Sequence, residues 1–170
     1  EVFFMGIVPD NAAAVRESLR TAADFAPDLI LSTAGVSVGV YDYIRQVVGE
    51  DGRLDFWRVN MRPGKPIAFG SYKEIPLIGL PGNPVSAFVG YKVFVVPALD
   101  RLTGLITTRR DMVLATLDTP IESDGRETYL RVSLVKGEDG RWQASISGHQ
   151  GSGNLVALAR ADGLAVIPAG

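Results

Sequence analysis

The segment Gly79-Leu-Pro-Gly-Asn-Pro-Val-Ser86 constrains this chain more than any other stretch. A short apolar run, residues 75–78, leads into it, and a long apolar stretch begins behind it at Val85. Gly79 and Gly82 admit close backbone approach or positive φ, Asn83 is a good N-cap, and Pro84 fits the first helical position. The spacing therefore predicts a strand turning sharply into a helix. The first turn of a helix leaves backbone N–H groups unpaired, and together with the helix dipole these favour phosphate. The residues alone leave a second reading open, an ordinary capped helix start.

Two further junctions share this character. Leu29-Ile-Leu-Ser-Thr-Ala-Gly-Val-Ser-Val-Gly-Val-Tyr-Asp42 is an apolar strand emptying into a loop rich in glycine and hydroxyls, and Arg62-Pro-Gly-Lys-Pro66 places two cations on a stiff turn. Three such loops close together in sequence point to one shared polyanion pocket, because open α/β sheets bind ligands beyond the carboxyl ends of their strands.

Composition limits how that pocket works. At 170 residues, 46% hydrophobic and 21% charged, the chain has the make-up of one ordinary globular domain or two small ones. A net charge of −2 and a pI near 5.4 supply no global basic field for nucleic acid or an anionic membrane, so anion binding has to be local. The lack of cysteine removes disulfides, thiolate catalysis and zinc–thiolate sites, and His149 as the single histidine removes a histidine-based metal site. No apolar stretch reaches the roughly 18 residues of a spanning helix, and the start lacks the basic stretch of a signal peptide, so a soluble cytoplasmic protein is expected. The chain opens at Glu1 on an apolar run without an initiating methionine, which reads as a piece of something longer.

Residues 2–8 read as a strand, followed by a helix capped by Asp10 with Val15, Leu19 and Ala26 at helical spacing. Residues 29–32 form a short buried-type strand, 41–48 a helix, 54–61 a strand, and 67–69 with 75–80 a pair around 70–74. A helix over 85–102 is predicted to kink or divide at Pro97. Strands alternating with helices in this way indicate a three-layer α/β/α domain with a mainly parallel sheet. After residue 105 the pattern changes to strands at 111–117, 128–135, 141–147 and 164–167, separated by turns, as in an all-β module. The expected domains are therefore 1–105 and 106–170.

Taken together, Thr33-Ala-Gly-Val-Ser-Val-Gly39 with Tyr41-Asp-Tyr43, Phe56-Trp-Arg58, Arg62-Pro-Gly-Lys-Pro66, Gly79-Leu-Pro-Gly-Asn-Pro-Val-Ser86 and Ser147-Gly-His-Gln-Gly-Ser152 resemble the molybdopterin molybdenumtransferases, the MoeA and gephyrin E-domain family. The resemblance runs in order over nearly the whole chain, and the Gly-His-Gln-Gly-Ser element in an all-β module singles out this branch. It implies insertion of molybdate into adenylylated molybdopterin with release of AMP, dependence on Mg²⁺, and a MogA-like α/β/α domain followed by a small β-barrel-like domain within a homodimer. It also implies that the family's two N-terminal domains and the opening of its α/β domain are missing here, so that the segment alone is expected to be inactive. A MogA-type adenylyltransferase is the partner it implies.

Carried over position by position, Asp42 and Asp10 match acidic positions of the family, with Asp42 the implied metal ligand. Arg58 and Arg62 fall where the family has lysines, and Lys65 keeps the ammonium; arginine forks to bind phosphate or molybdate oxygens bidentately. Thr33, Gly35, Ser37 and Gly39 belong to the glycine loop, in which Ala34 replaces a family glycine. Pro81, Gly82, Asn83, Pro84 and Ser86 belong to the helix start, and Arg131 and Ser152 match positions of the β-domain that reach toward the site.

Each assignment has a plainer alternative that the residues leave open. Asp42 and Asp10 are also good helix caps, Thr33 and Ser37 also cap local backbone, and Arg58 also suits a solvated strand. His149, beside Gly148 and Gly151, reads as a turn residue and not a base, and Trp57 reads as packing, with stacking on a pterin or adenine as the alternative. Two other functions stay in view. One is a gephyrin-type scaffold that anchors receptors, for which no receptor groove is marked. The other is a MogA-like adenylyltransferase, against which the β-module argues.

Overall fold

The computed structural model describes residues 1–35, 43–105, 112–151 and 153–170. These fall into two compact units, Glu1–Val59 with Gly64–Gly82, and Asn60–Pro63 with Asn83–Gly170. The readings at Ser37, Gly39, Asp42 and Ser152 lie outside the described residues.

In the first unit, helix α1 (Ala12–Asp24) presents Val15 and Leu19 to the core at the four-residue spacing of one helical face. Its cap is Asn11, not the expected Asp10. The Asn11 carbonyl accepts from Val15 at 3.1 Å while its Oδ1 accepts from the Ala14 N–H at 2.8 Å, so the residue in the half-helical position does the capping and Asp10 stays exposed one step earlier. Strand β1 (Ile30–Thr33) and helix α2 (Tyr43–Asp51) follow. Ile44, Val47 and Val48 of α2 join Ile30, Ala68, Tyr72 and Leu77 in the core. On the surface, Arg16 of α1 pairs with Glu50 and with Asp51 at the end of α2.

Strands β2 (Gly52–Phe56), β4 (Ala68–Tyr72) and β5 (Ile75–Leu80) complete the sheet in the order β1-β5-β4-β2. The mainly parallel sheet expected from the sequence is mixed over the described residues. β1 and β5 pair in parallel, but β4 and β5 are the arms of a hairpin turning at Lys73 and Glu74, both at positive φ, and β2 adds antiparallel to β4. A two-residue connection permits no other direction for β4.

Residues 2–8 form no strand. A strand needs a ladder partner, and this run has none among the described residues; Phe3 stacks on Phe25 at 5.1 Å while Val2, Phe4 and Ile7 lie exposed. The expected strand over 54–61 breaks in two because its halves pair with different sheets. β2 ends at Phe56, and β3 (Met61–Arg62) pairs in parallel with β7 of the second unit.

The second unit begins its main run with α3 (Pro84–Gly90), a π-helical turn Tyr91–Val95 and α4 (Val96–Leu102). Pro97 does not break the helix. The Val96 N–H bonds the Tyr91 carbonyl five residues back, and this one-residue slip of the ladder sits immediately before the proline that has no N–H to offer. A five-stranded sheet holds β3, β6 (Ala115–Leu117), β7 (Glu127–Lys136), β8 (Trp142–Ile146) and β9 (Gly163–Ile167). A short helix α5 (Leu155–Ala159), capped by Asn154, interrupts the otherwise all-β pattern and packs against α3. β9 covers residues 128–132 of β7 and β8 covers 132–136, so the two neighbours share only Val132 and β7 passes diagonally between them, as strands do in small barrels.

Close strand approach fixes the register of β2 on β4. A Cβ on Gly70 would lie 2.0 Å from the Arg53 carbonyl oxygen. Gly70→Ala is expected to cost about 2 to 4 kcal/mol, read by urea denaturation. A loss below about 0.5 kcal/mol would deny the close approach.

Candidate functional site

The in-register parallel pairing of β1 and β5 sets Thr33 opposite Leu80, and the Ala34 N–H donates to the Leu80 carbonyl at 3.0 Å. Two loops that the sequence marked separately thus leave the carboxyl ends of adjacent parallel strands, where such sheets bind ligands. Thr33 is exposed there and Pro81 is buried. Gly35, at φ +71°, is required as glycine, since a Cβ would lie 2.8 Å from Ile44 Cγ1. Ala34 takes φ 70°, a conformation that costs a non-glycine residue about 1–2 kcal/mol.

The Ala34 methyl also faces the second loop, because a Cβ built on Gly82 would meet it at 3.1 Å. Gly82→Ala is therefore expected to lower the melting temperature, and Ala34→Gly to raise it. The double variant should recover most of the Gly82→Ala loss, because the colliding methyl is gone. Additive effects in scanning calorimetry would show that the two positions do not meet.

At the helix start, Asn83 acts as the sequence requires, its Oδ1 accepting from the Ser86 N–H at 3.2 Å and the Ser86 hydroxyl at 3.3 Å. The Ala87 N–H goes to the Asn83 carbonyl, and Pro84 has no N–H. The N–H groups of Asn83 and Val85 stand outside these bonds among the described residues. Ser86 is buried and turned toward its own cap.

The cations are differently engaged. The Arg58 guanidinium lies 3.9 Å from the centre of the Trp57 ring and that of Arg45 lies 4.0 Å from it, so the indole that the sequence offers for stacking already carries two cations of its own chain. Lys65 is exposed in the first unit, and its carbonyl accepts from the Val59 N–H at 3.0 Å. Arg62, exposed in the second unit before the cis Arg62-Pro63 bond, donates from Nη1 to Asp124 Oδ2 at 3.2 Å.

Asp124 also receives Arg126, through Nε on Oδ1 at 3.2 Å, through the Arg126 N–H on Oδ1 at 3.2 Å, and through Nη2 on Oδ2. Hydrogen bonding from Arg126 dominates, Arg62 adds to it, and together they hold the Asp124 carboxyl down at about 2. Because the folded value lies below the ordinary carboxylate value of 3.8, the stability this carboxylate contributes is complete above about pH 4 and lost as the pH falls through about 2. Carboxyl ¹³C titration is expected to give a midpoint near 2 for Asp124, moving up toward the ordinary range in Arg126→Met. A midpoint near 4 in the parent protein would contradict the arrangement.

In the β-sheet, Arg131 is 1% exposed, and its Nη2 donates to the carbonyls of His149 at 3.2 Å and Gly151 at 3.3 Å. Among the described residues its Nε has no partner, and burial lowers the guanidinium from its ordinary value. Gln150 clamps the same loop to β7, accepting from the Arg131 N–H at 2.9 Å and donating to the carbonyls of Arg131 at 3.1 Å and Ser147 at 3.0 Å. His149 Nδ1 accepts from the Gly151 N–H at 3.0 Å, as a turn residue does. Sequence reasoning did not select Arg45, Asp124, Arg126 or Gln150; Gln150 stands inside a quoted motif, and Asp124 inside a segment read only as a turn.

Among the described residues no three Asp, Glu or His side chains converge as a metal cluster, and no helix is long and apolar enough to cross a membrane.

Comparison with known proteins matches residues 1–101 to the probable molybdopterin binding domain and residues 114–170 to the MoeA C-terminal region, domain IV. A molybdopterin molybdenumtransferase of Nostoc sp. is 38% identical over 100% of the chain, which spans 40% of that protein. One from Haemophilus influenzae is 32% identical over 98% of the chain, which spans 42% of it. The crystal structure of a molybdopterin biosynthesis MoeA protein from Pyrococcus horikoshii superposes with a TM-score of 0.77 at 28% identity, over 98% of this chain and 39% of that one. The chain thus spans about two fifths of the length of these relatives.

Proposed function

Because the chain belongs to the molybdopterin-binding domain family in its MoeA form, we propose that the protein carrying it inserts molybdate into adenylylated molybdopterin and releases AMP. The single observation that carries this reading is the order of the two matched regions. A molybdopterin-binding domain is followed in one chain by the MoeA C-terminal region, which an adenylyltransferase of MogA type has no use for. The domains proposed for it are 1–105 and 106–170.

In this reading Lys65, Arg58 and Arg62 neutralise the phosphates and the oxyanion, and Thr33, Gly35, Ser37 and Gly39 form the loop that the pterin phosphate approaches. Pro81, Gly82, Asn83, Pro84 and Ser86 shape the facing turn, and Asp10, Arg131 and Ser152 are carried over from the family. Asp42 is the proposed Mg²⁺ ligand. A carboxylate suits that ion, which keeps several waters and commonly binds through one or two carboxylates plus substrate phosphates; it would screen the charge of the phosphoanhydride. A homodimer, a MogA-type enzyme supplying the adenylylated pterin, and a cytoplasmic location belong to the same proposal.

The test uses the full-length protein with Asp42→Asn, which keeps size and capping ability and removes the charge. Adenylylated molybdopterin should still bind, while AMP release and molybdenum insertion fall by about 10²-fold or more. The Mg²⁺ requirement should also move to higher concentration. Normal AMP release with unchanged Mg²⁺ dependence would return Asp42 to a helix cap. A parent protein that releases no AMP in the presence of molybdate would overturn the function itself.

A further inference from the structure

Asp124 holds two guanidinium groups unequally. Arg126 takes both carboxylate oxygens and adds its backbone N–H, whereas Arg62 makes one contact, 3.2 Å from Nη1 to Oδ2. The scaffold around this carboxylate is well fixed. The Asn60 side chain donates to the Gly125 carbonyl at 2.9 Å, and the Glu127 N–H donates to the Asn60 carbonyl at 3.1 Å. Met61 and Arg62 pair in register with Glu127 and Thr128. Ser123 Oγ donates to the Pro168 carbonyl at 3.1 Å and accepts from the Gly170 N–H at 3.0 Å. Asp124 and the backbone of Arg62 are thus pinned to the same strand pair, while the Arg62 side chain, 59% exposed, extends into solvent and is held by the weaker arm.

We propose that Asp124 competes with an incoming oxyanion for Arg62, and so sets the affinity and the charge selectivity of Arg62 in the proposed reaction. This rests on the reading of Arg62 as an anion binder. Arg62 exchanges Asp124 for the ligand's oxygens, and Asp124 stays compensated because the Arg126 fork remains in place. The exchange therefore strands no carboxylate. An anion drawn to Arg62 approaches a fixed negative charge, so each additional negative charge on the ligand meets more opposition. A bare like charge about 5 Å away in water opposes binding by at most about fourfold per unit of ligand charge, and both the Arg126 guanidinium and salt reduce this.

Isothermal titration calorimetry of the full-length protein with molybdate, and separately with nitrate, at low ionic strength tests the proposal. Asp124→Asn should tighten binding about three- to tenfold, more for the dianion molybdate than for a monoanion such as nitrate. Arg126→Met should weaken it, because Asp124 then depends on Arg62 alone. These opposite signs separate competition from simple damage to the turn, and melting temperatures check that each variant folds. In an Arg62→Met background both effects should vanish. If Arg62→Met weakens binding but Asp124→Asn leaves it unchanged or weaker, Asp124 does not compete although Arg62 binds anions. If Arg62→Met changes nothing, or neither probe binds, the anion role of Arg62 falls and the competition falls with it.

Discussion

The parallel pairing of β1 with β5 is the constraint on which the first unit depends. Register is strict where one face is buried, and here Ile30 opposite Leu77 lies in the core on one side of the pleat. A slip of one residue would expose Leu77 and would also move Leu80 out of reach of the Ala34 N–H. The packing of a few aliphatic side chains therefore decides where two loops begin, and through the contact of Ala34 with Gly82 how near they run. The residue at that contact is unusual. Ala34 holds a left-handed conformation that glycine adopts without cost, so the loop carries strain at the very place where the family pattern has a glycine.

The second unit solves a different problem, that of burying a cation with no counter-charge among the described residues. Arg131 on β7 is almost wholly enclosed, yet its described acceptors are main-chain carbonyls. Carbonyl dipoles satisfy N–H donors without neutralising charge, which is why burial still lowers the guanidinium from its ordinary value. Gln150 supplies the mechanical half of the arrangement. Its amide accepts from and donates to the same residue of β7, reproducing with a side chain the paired bonds that a neighbouring strand would make. The Gly-His-Gln-Gly loop is thus an extension of the sheet by other means, and its conformation is tied to β7.

Much of this was legible in the sequence, and the reasons for the rest are physical. The hairpin of β4 and β5, the cap at Asn83 and the long strand β7 follow from local patterns that the sequence displays. The errors at the start have a common cause. Whether residues 2–8 pair, and whether 54–61 is one strand or two, depends on partners far away in the chain, and the strand after Trp57 changes sheets because β7 recruits Met61 and Arg62. Asp10 and Asn11 differ by one position in a sequence where either side chain caps well, and only backbone geometry distinguishes them. The π-helical turn before Pro97 has no residue signature, and α5 is too short to show a period. The proposed site divides in the same way: its glycines and its helix start carry local signals, but Asp124 is separated from Arg62 by 62 residues and no spacing rule joins them.

The charge balance of the chain gives these engagements their meaning. With a net charge of −2, attraction of a polyanion cannot come from the molecule's overall field and must come from cations placed within a few ångströms of it. Yet two of the three proposed cations are held by the chain's own groups, Arg58 on an indole and Arg62 on a carboxylate. Such engagement keeps long, flexible side chains ordered, which reduces the entropy lost on binding, at the cost of contacts that must be exchanged when the ligand arrives. An indole face gives up an arginine without leaving a charge behind, whereas a carboxylate does not unless a second cation stays with it. Arg126 is that second cation. Its place two residues from Asp124 makes the exchange at Arg62 electrostatically tolerable in an otherwise acidic chain.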